Sequence, residues 1–149
     1  MMTLRPHHLL DILSRFERGK VPEPADSGNA VHVVTRRVGR GLHQKVRFVV
    51  GPDDICAPCS NLRADGSCTR ILDRHNPPVP MDEYNDPLDR RILAYLGVEA
   101  GSVMTLGEFL RLINARAPGI EAVCTHPTQD RAERLAGLIR GLEELAVRE

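Results

Sequence analysis

The chain has 149 residues, 42% hydrophobic and 27% charged, enough for one soluble domain with its own core and too few for two of ordinary size. Twenty Lys and Arg balance twenty Asp and Glu, so no global field draws in nucleic acid or a membrane surface; with Trp absent and aromatics at 3%, there is little flat surface on which bases could stack. The longest apolar stretch, Ile92 to Val98, is too short to span a bilayer, and the start Met-Met-Thr-Leu-Arg-Pro-His-His has no leader pattern, so the expectation is a cytoplasmic protein with neither nucleic acid nor a membrane as partner.

Pro6 suits a first helical turn, and Leu9, Leu10, Leu13 and Phe16 follow at helical spacing until Gly19, which predicts a helix over residues 6–18. A short loop with Pro22, Pro24 and Gly28 comes next. Ala30, Val31, Val34, Val38 and Leu42 then mark an amphipathic helix, and Val46, Phe48 and Val50 alternate as one short strand. The densest basic cluster, Arg36, Arg37, Arg40, Lys45 and Arg47, lies across these two elements. It reads as a solvated face, with an acidic partner, a phosphate or the acidic middle third of the same chain as other uses.

Between about 51 and 87 the apolar periodicity fades, and prolines at 52, 58, 77, 78, 80 and 87 dominate. So long an irregular segment inside one domain is uncommon unless something other than a hydrophobic core holds it. Regular structure is expected to resume at Asp86-Pro87, as N-cap and first turn of a helix closed by Gly97. Thr105 and Glu108 are spaced as a capping box for a helix ended by Pro118-Gly119, and a last helix should run from near Thr128 through Leu145. The fold class is therefore a mainly α, small α+β single domain over 1–149, with about five helices, one short strand and a cysteine-bearing loop folded around a metal centre.

Cys56, Cys59, Cys68 and Cys124 are all the cysteines, and three lie in the loop least able to bury them in apolar packing. Two-residue spacing lets Cys56 and Cys59 converge on one centre from a single turn, Gly66 permits the return that brings Cys68 back, and Cys124 arrives from just before the last helix. A disulfide suits a reducing compartment poorly, and a redox Cys-x-x-Cys usually opens a helix rather than sitting between prolines. Four thiols match a tetrahedral zinc or an iron–sulfur cluster, [4Fe–4S] or [2Fe–2S]. One close pair with two single cysteines favours a cluster over zinc, whose structural sites commonly use two close pairs. His126 and Asp54 stand beside cysteines as a candidate ligand and a candidate supporting group; Arg63 and Arg70 are near enough in sequence to offset thiolate charge.

On the first helix His7 and Asp11 stand at i and i+4, and His8 and Asp11 at i and i+3, so a carboxylate there can orient an imidazole and form an acid–base couple. Leu-Arg-Pro-His-His-Leu-Leu at 4–10, Gly-Pro-Asp-Asp-Ile-Cys-Ala-Pro-Cys at 51–59, the later lone Cys68 and Cys124 before the final helix together resemble the domain-of-unknown-function 1284 family, small bacterial and archaeal proteins suspected of binding an iron–sulfur cluster. The resemblance implies Cys56, Cys59, Cys68 and Cys124 as ligands, with Arg5, His7, His8, Asp53 and Asp54 as the accompanying polar set. The chain departs from that pattern at Asp11, where cysteine is frequent, and at Thr125-His-Pro-Thr, where a further cysteine and a tryptophan are frequent. Three functions follow as expectations: an iron–sulfur protein in electron transfer or redox sensing with a protein redox partner, a structural zinc domain serving as an interaction module, and a metal-dependent enzyme using His7, His8 and Asp11.

Overall fold

The computed structural model describes residues 1–73 and 75–148; positions 74 and 149, which fall within the expected loop and domain, lie outside them. Six helices and five strands are present among these residues: β1 (Met2–Leu4), α1 (Pro6–Ser14), α2 (Val31–Val38), β2 (Lys45–Phe48), β3 (Ile71–Leu72), β4 (Val79–Pro80), α3 (Met81–Leu96), β5 (Val103–Thr105), α4 (Leu106–Ala115), α5 (Ile120–Val123) and α6 (Arg131–Glu144). The class is small α+β. The single expected strand becomes a three-stranded mixed sheet, β1-β2-β5, with β1 parallel to β2 (Leu4 opposite Phe48) and β5 antiparallel to β2 (Thr105 opposite Lys45). β3 and β4 form a separate antiparallel pair inside the stretch expected to be irregular.

Helix α1 begins where Pro6 was expected to start it, after Arg5 in extended geometry (φ −70°, ψ 138°). No side chain of its own caps it. The orphan donors of its first turn are instead met by distant carboxylates: Asp53 Oδ2 accepts from the Arg5 N–H at 2.7 Å, and Asp89 Oδ1 accepts from the His7 N–H at 2.9 Å. Thr105 and Glu108 form the predicted capping box on α4, and Gly97 closes α3 in the left-handed region at φ 70°.

α3 starts earlier than expected. The helix begins at Met81, not Asp86, and carries Pro87 in its interior. The turns ahead of Pro87 are held by tertiary partners: the Met81 N–H donates to the Arg70 carbonyl at 2.9 Å, the Cys68 N–H donates to Asp82 Oδ2 at 2.7 Å, and Asp86 accepts from Arg5. Those contacts make helix out of a turn that proline chemistry alone would end.

Buried apolar side chains from Met2 to Leu145 form one cluster, centred on Leu9, Leu10 and Leu13 of α1, Phe48 stacked on Phe109 (centroids 3.9 Å apart), Ile92, and Leu138 and Leu142 of α6. No helix among the described residues is long and apolar enough to cross a membrane. The loop contributes little to this core: between Gly51 and Pro80 the described residues that are buried are Asp53, Ile55 and Leu72, of which Ile55 joins the cluster.

The closest approach in the core is backbone to backbone. Gly137 and Gly141 of α6 lie directly on the Ser14 and Leu13 carbonyls of α1, where any Cβ would overlap the carbonyl oxygen. Helix propensity alone assigns Gly141→Ala a gain of about 1 kcal/mol. Steric overlap with Leu13 is expected to reverse the sign and cost about 3 kcal/mol in urea unfolding; a stabilised variant would mean that α1 and α6 stand further apart.

Candidate metal centre and histidine pair

A cavity of about 620 Å³ opens where the start of α1, the loop and α3 meet. Cys56, Cys59 and Cys68 line it together with His7, His8, Asp11 and His126. The loop brings the three thiols there by ordinary turns. The Cys59 N–H donates to the Cys56 carbonyl at 2.8 Å, a bridge pairs Leu62 with Cys68, and the Arg70 N–H donates to Cys68 Sγ at 3.4 Å. Gly66 supplies the expected return at φ 87°.

Cys124 is placed differently. It is a free thiol like the others, fully buried, and not part of the lining of that cavity, although its neighbours Thr125 and His126 are. Its Sγ accepts from the Arg134 guanidinium at 3.1 Å, and Arg134 also donates to Asp11 Oδ1 at 2.7 Å and to Ser14 Oγ at 3.0 Å. Burial pushes the Cys124 thiol up to about 11, against the pull of Arg134.

Asp11 therefore orients neither histidine, contrary to the helical-spacing expectation; Arg134 claims it. The imidazoles are held from across the fold. His7 Nδ1 lies 2.8 Å from Asp89 Oδ1, and His8 Nδ1 lies 2.7 Å from Asp53 Oδ2, with both carboxylates fully buried and the rings 4.3 Å apart. A carboxylate accepts, so each Nδ1 carries a proton, and in the neutral form of either ring the lone pair is on Nε2. His126 is the reverse. Its Nδ1 accepts from the Thr128 N–H at 3.1 Å, which leaves the proton of the neutral ring on Nε2. Burial lowers its pKa and favours that neutral ring.

Asp53 accepts four hydrogen bonds: Oδ2 from the Arg5 N–H and His8, Oδ1 from the Ile55 N–H at 3.0 Å and the Cys56 N–H at 3.1 Å. Burial opposes its ionisation, but the His8 hydrogen bond and charge with the Arg5 and Cys56 amides overcome this and hold its pKa at about 2. Burial and the Asp53 charge push the neighbouring Cys56 thiol the other way, to about 12. Asp54 ties the loop to β1, accepting from the Thr3 N–H at 2.8 Å while its own N–H donates to the Thr3 carbonyl at 3.0 Å. Arg70 lines the cavity; Arg63 does not, and is exposed beside Ser67.

Asp82, Asp86 and Asp89 are not placed at the site by the sequence reading. Arg5, only 3% exposed, donates to Asp86 at 2.7 Å and Asp89 at 2.9 Å and stands 3.6 Å from Asp82. The 82, 86, 89 spacing, three carboxylates on one helical stripe, is the signal that would have found them.

Because its folded pKa lies below the unfolded value of 3.8, Asp53 contributes stability that is present above pH about 4 and lost as pH falls toward about 2, roughly 2 kcal/mol in all. In chelator-treated protein, Asp53→Asn should lose that increment at neutral pH, and its gap from the unsubstituted chain should close through this window. A gap independent of pH would mean that Asp53 is not a buried carboxylate.

Among curated proteins and among solved structures, nothing matches the chain. The family model described as protein of unknown function (DUF1284) matches residues 28–128, a span that holds all four cysteines and Asp53 and stops short of Arg5, His7, His8 and Arg134. With more than half of its length matched, the chain belongs to that family.

Proposed function

We propose that this protein binds an iron–sulfur centre through Cys56, Cys59 and Cys68 and serves in electron transfer or redox sensing with a protein partner. The observation that carries the reading is the convergence of three thiols from one loop on one cavity, in a stretch that buries almost no apolar surface of its own. Ordering about thirty residues costs conformational entropy that Ile55 and Leu72 cannot offset, and a bound centre supplies the missing cohesion. The donor set fits, since thiolates are the common ligands of such clusters. Cys124 falls outside the set on geometry, buried against Arg134.

Spacing supports a cluster over zinc. A tetrahedral zinc with sulfurs at about 2.3 Å holds them about 3.8 Å apart. Among the described residues, the group whose ligand-type atoms all lie within 4.8 Å of one another is His8, Asp53 and Cys56, not the three thiols, so at least one pair of the sulfurs stands wider apart than a tetrahedral zinc holds them.

The test is anaerobic preparation with visible absorbance and iron, zinc and acid-labile sulfide per chain, repeated on Cys59→Ser. Iron with sulfide and a reducible visible band, both lost in the variant, is the expected result. Stoichiometric zinc without sulfide would make the centre structural, and neither element would return the cysteines to plain thiol chemistry.

A second reading, turnover of a small molecule at the same cavity, is favoured by His7, whose Asp89-held ring lines that cavity together with the thiols. A thermal-shift screen of small anions and metabolite-sized compounds on the loaded protein, with His7→Gln in parallel, tests it. No compound that stabilises the unsubstituted chain more than the variant would remove this reading.

A further inference from the structure

We infer that His8, through Nε2, is the fourth protein ligand of the centre, an inference that rests on the proposed cluster and names the residue that completes it. Three residues compete for that place. Cys124 is enclosed and already accepts from Arg134, so reaching the cavity would break a buried contact that also involves Asp11 and Ser14. His126 lines the cavity but offers it an N–H, because the Thr128 amide occupies Nδ1. His8, as a neutral ring, offers a lone pair at Nε2. Its Nδ1–H is taken by Asp53 at 2.7 Å, the arrangement in which a carboxylate fixes the tautomer and aim of a metal-binding imidazole.

Of the two held histidines, His8 is the one grouped with a cavity thiol. A ligand-type atom of His8 and the Cys56 sulfur lie within 4.8 Å of each other, in a group that does not include His7. Asp53, the third member, has no ligand role to offer, since both oxygens are saturated by His8 and three amides. It acts as a positioning residue. One oxygen aims His8, the other holds the Cys56 amide, so a single carboxylate sets two ligands that are 48 residues apart in the chain. The resulting set is three sulfurs and one nitrogen, with Cys124 spared. Histidine in place of thiolate leaves the centre less negative and raises its reduction potential.

The full chain, loaded anaerobically with ferric iron and sulfide in a thiol-reducing buffer and then reduced with dithionite, is examined by pulsed electron paramagnetic resonance for nitrogen hyperfine coupling. The unsubstituted chain, Cys124→Ala and His126→Ala should all show the coupling. His8→Cys should form a centre without it and at a lower potential, with an unchanged circular dichroism spectrum to exclude misfolding. Asp53→Asn should bind iron about tenfold more weakly. A coupling that persists in His8→Cys, or one abolished by His126→Ala instead, overturns the assignment, as does a normal yield of centre with no nitrogen signal or loss of the centre in Cys124→Ala. Absence of iron and sulfide from the unsubstituted chain is a different result, which removes the cluster itself.

Discussion

A guanidinium almost wholly removed from water must be matched by carboxylates or it will not stay there, and Arg5 is the group around which this molecule is arranged. Its side chain reaches into α3 to meet Asp86 and Asp89, while its own amide donates to Asp53 in the loop. Three pieces of chain that are distant in sequence are thereby fixed at one point: the β1–α1 junction, the start of the loop and the acidic stripe of α3. Arg5 is held in the charged form by those neighbours, although burial acts the other way. The cation also makes tolerable a concentration of buried negative charge that would otherwise be costly. Those same carboxylates then have capacity left to hold the histidines.

Economy of this kind is what hid the site from the sequence. Local signals were legible: Pro6 at the start of α1, the Thr105–Glu108 box and Gly97 at the end of α3 each act within a few residues and behaved as read, and the three loop cysteines line one cavity. The elements that escaped were too short to carry a period, such as β1 and β5 at three residues and β3 and β4 at two, or were held by distant partners, such as the first turn of α3. The histidines show the limit most clearly. Helical spacing can only nominate a neighbour on the same helix, and it nominated Asp11; the carboxylates that hold His7 and His8 come from positions 82 and 45 residues away.

A buried cation recurs on the other flank of α1. Arg134, on α6, meets Asp11, Ser14 and Cys124, and just beyond it Gly137 and Gly141 let the two helix backbones touch. α1 is thus clamped along its length, by α3 and the loop at its first turn and by α6 further along. A helix so constrained cannot swing its histidines away from the cavity without breaking charged contacts on both sides. Rigid placement of this kind is what a metal-binding or proton-handling imidazole requires.

The parallel pairing of β1 with β2 has a consequence for assembly. Met2 opposite Val46 and Leu4 opposite Phe48 fix where Arg5 leaves the sheet, and the Val49 amide on the Leu4 carbonyl and the Asp54 amide on the Thr3 carbonyl carry that alignment into the loop. A slip of one residue would turn the buried faces of the strand outward and carry the Arg5 amide away from Asp53. It would also part His8 from the carboxylate that aims it. Were the proposed centre bound in the cavity, a chain whose first strand had docked out of alignment would lose the contact that holds His8, so loading would favour the correctly aligned strand.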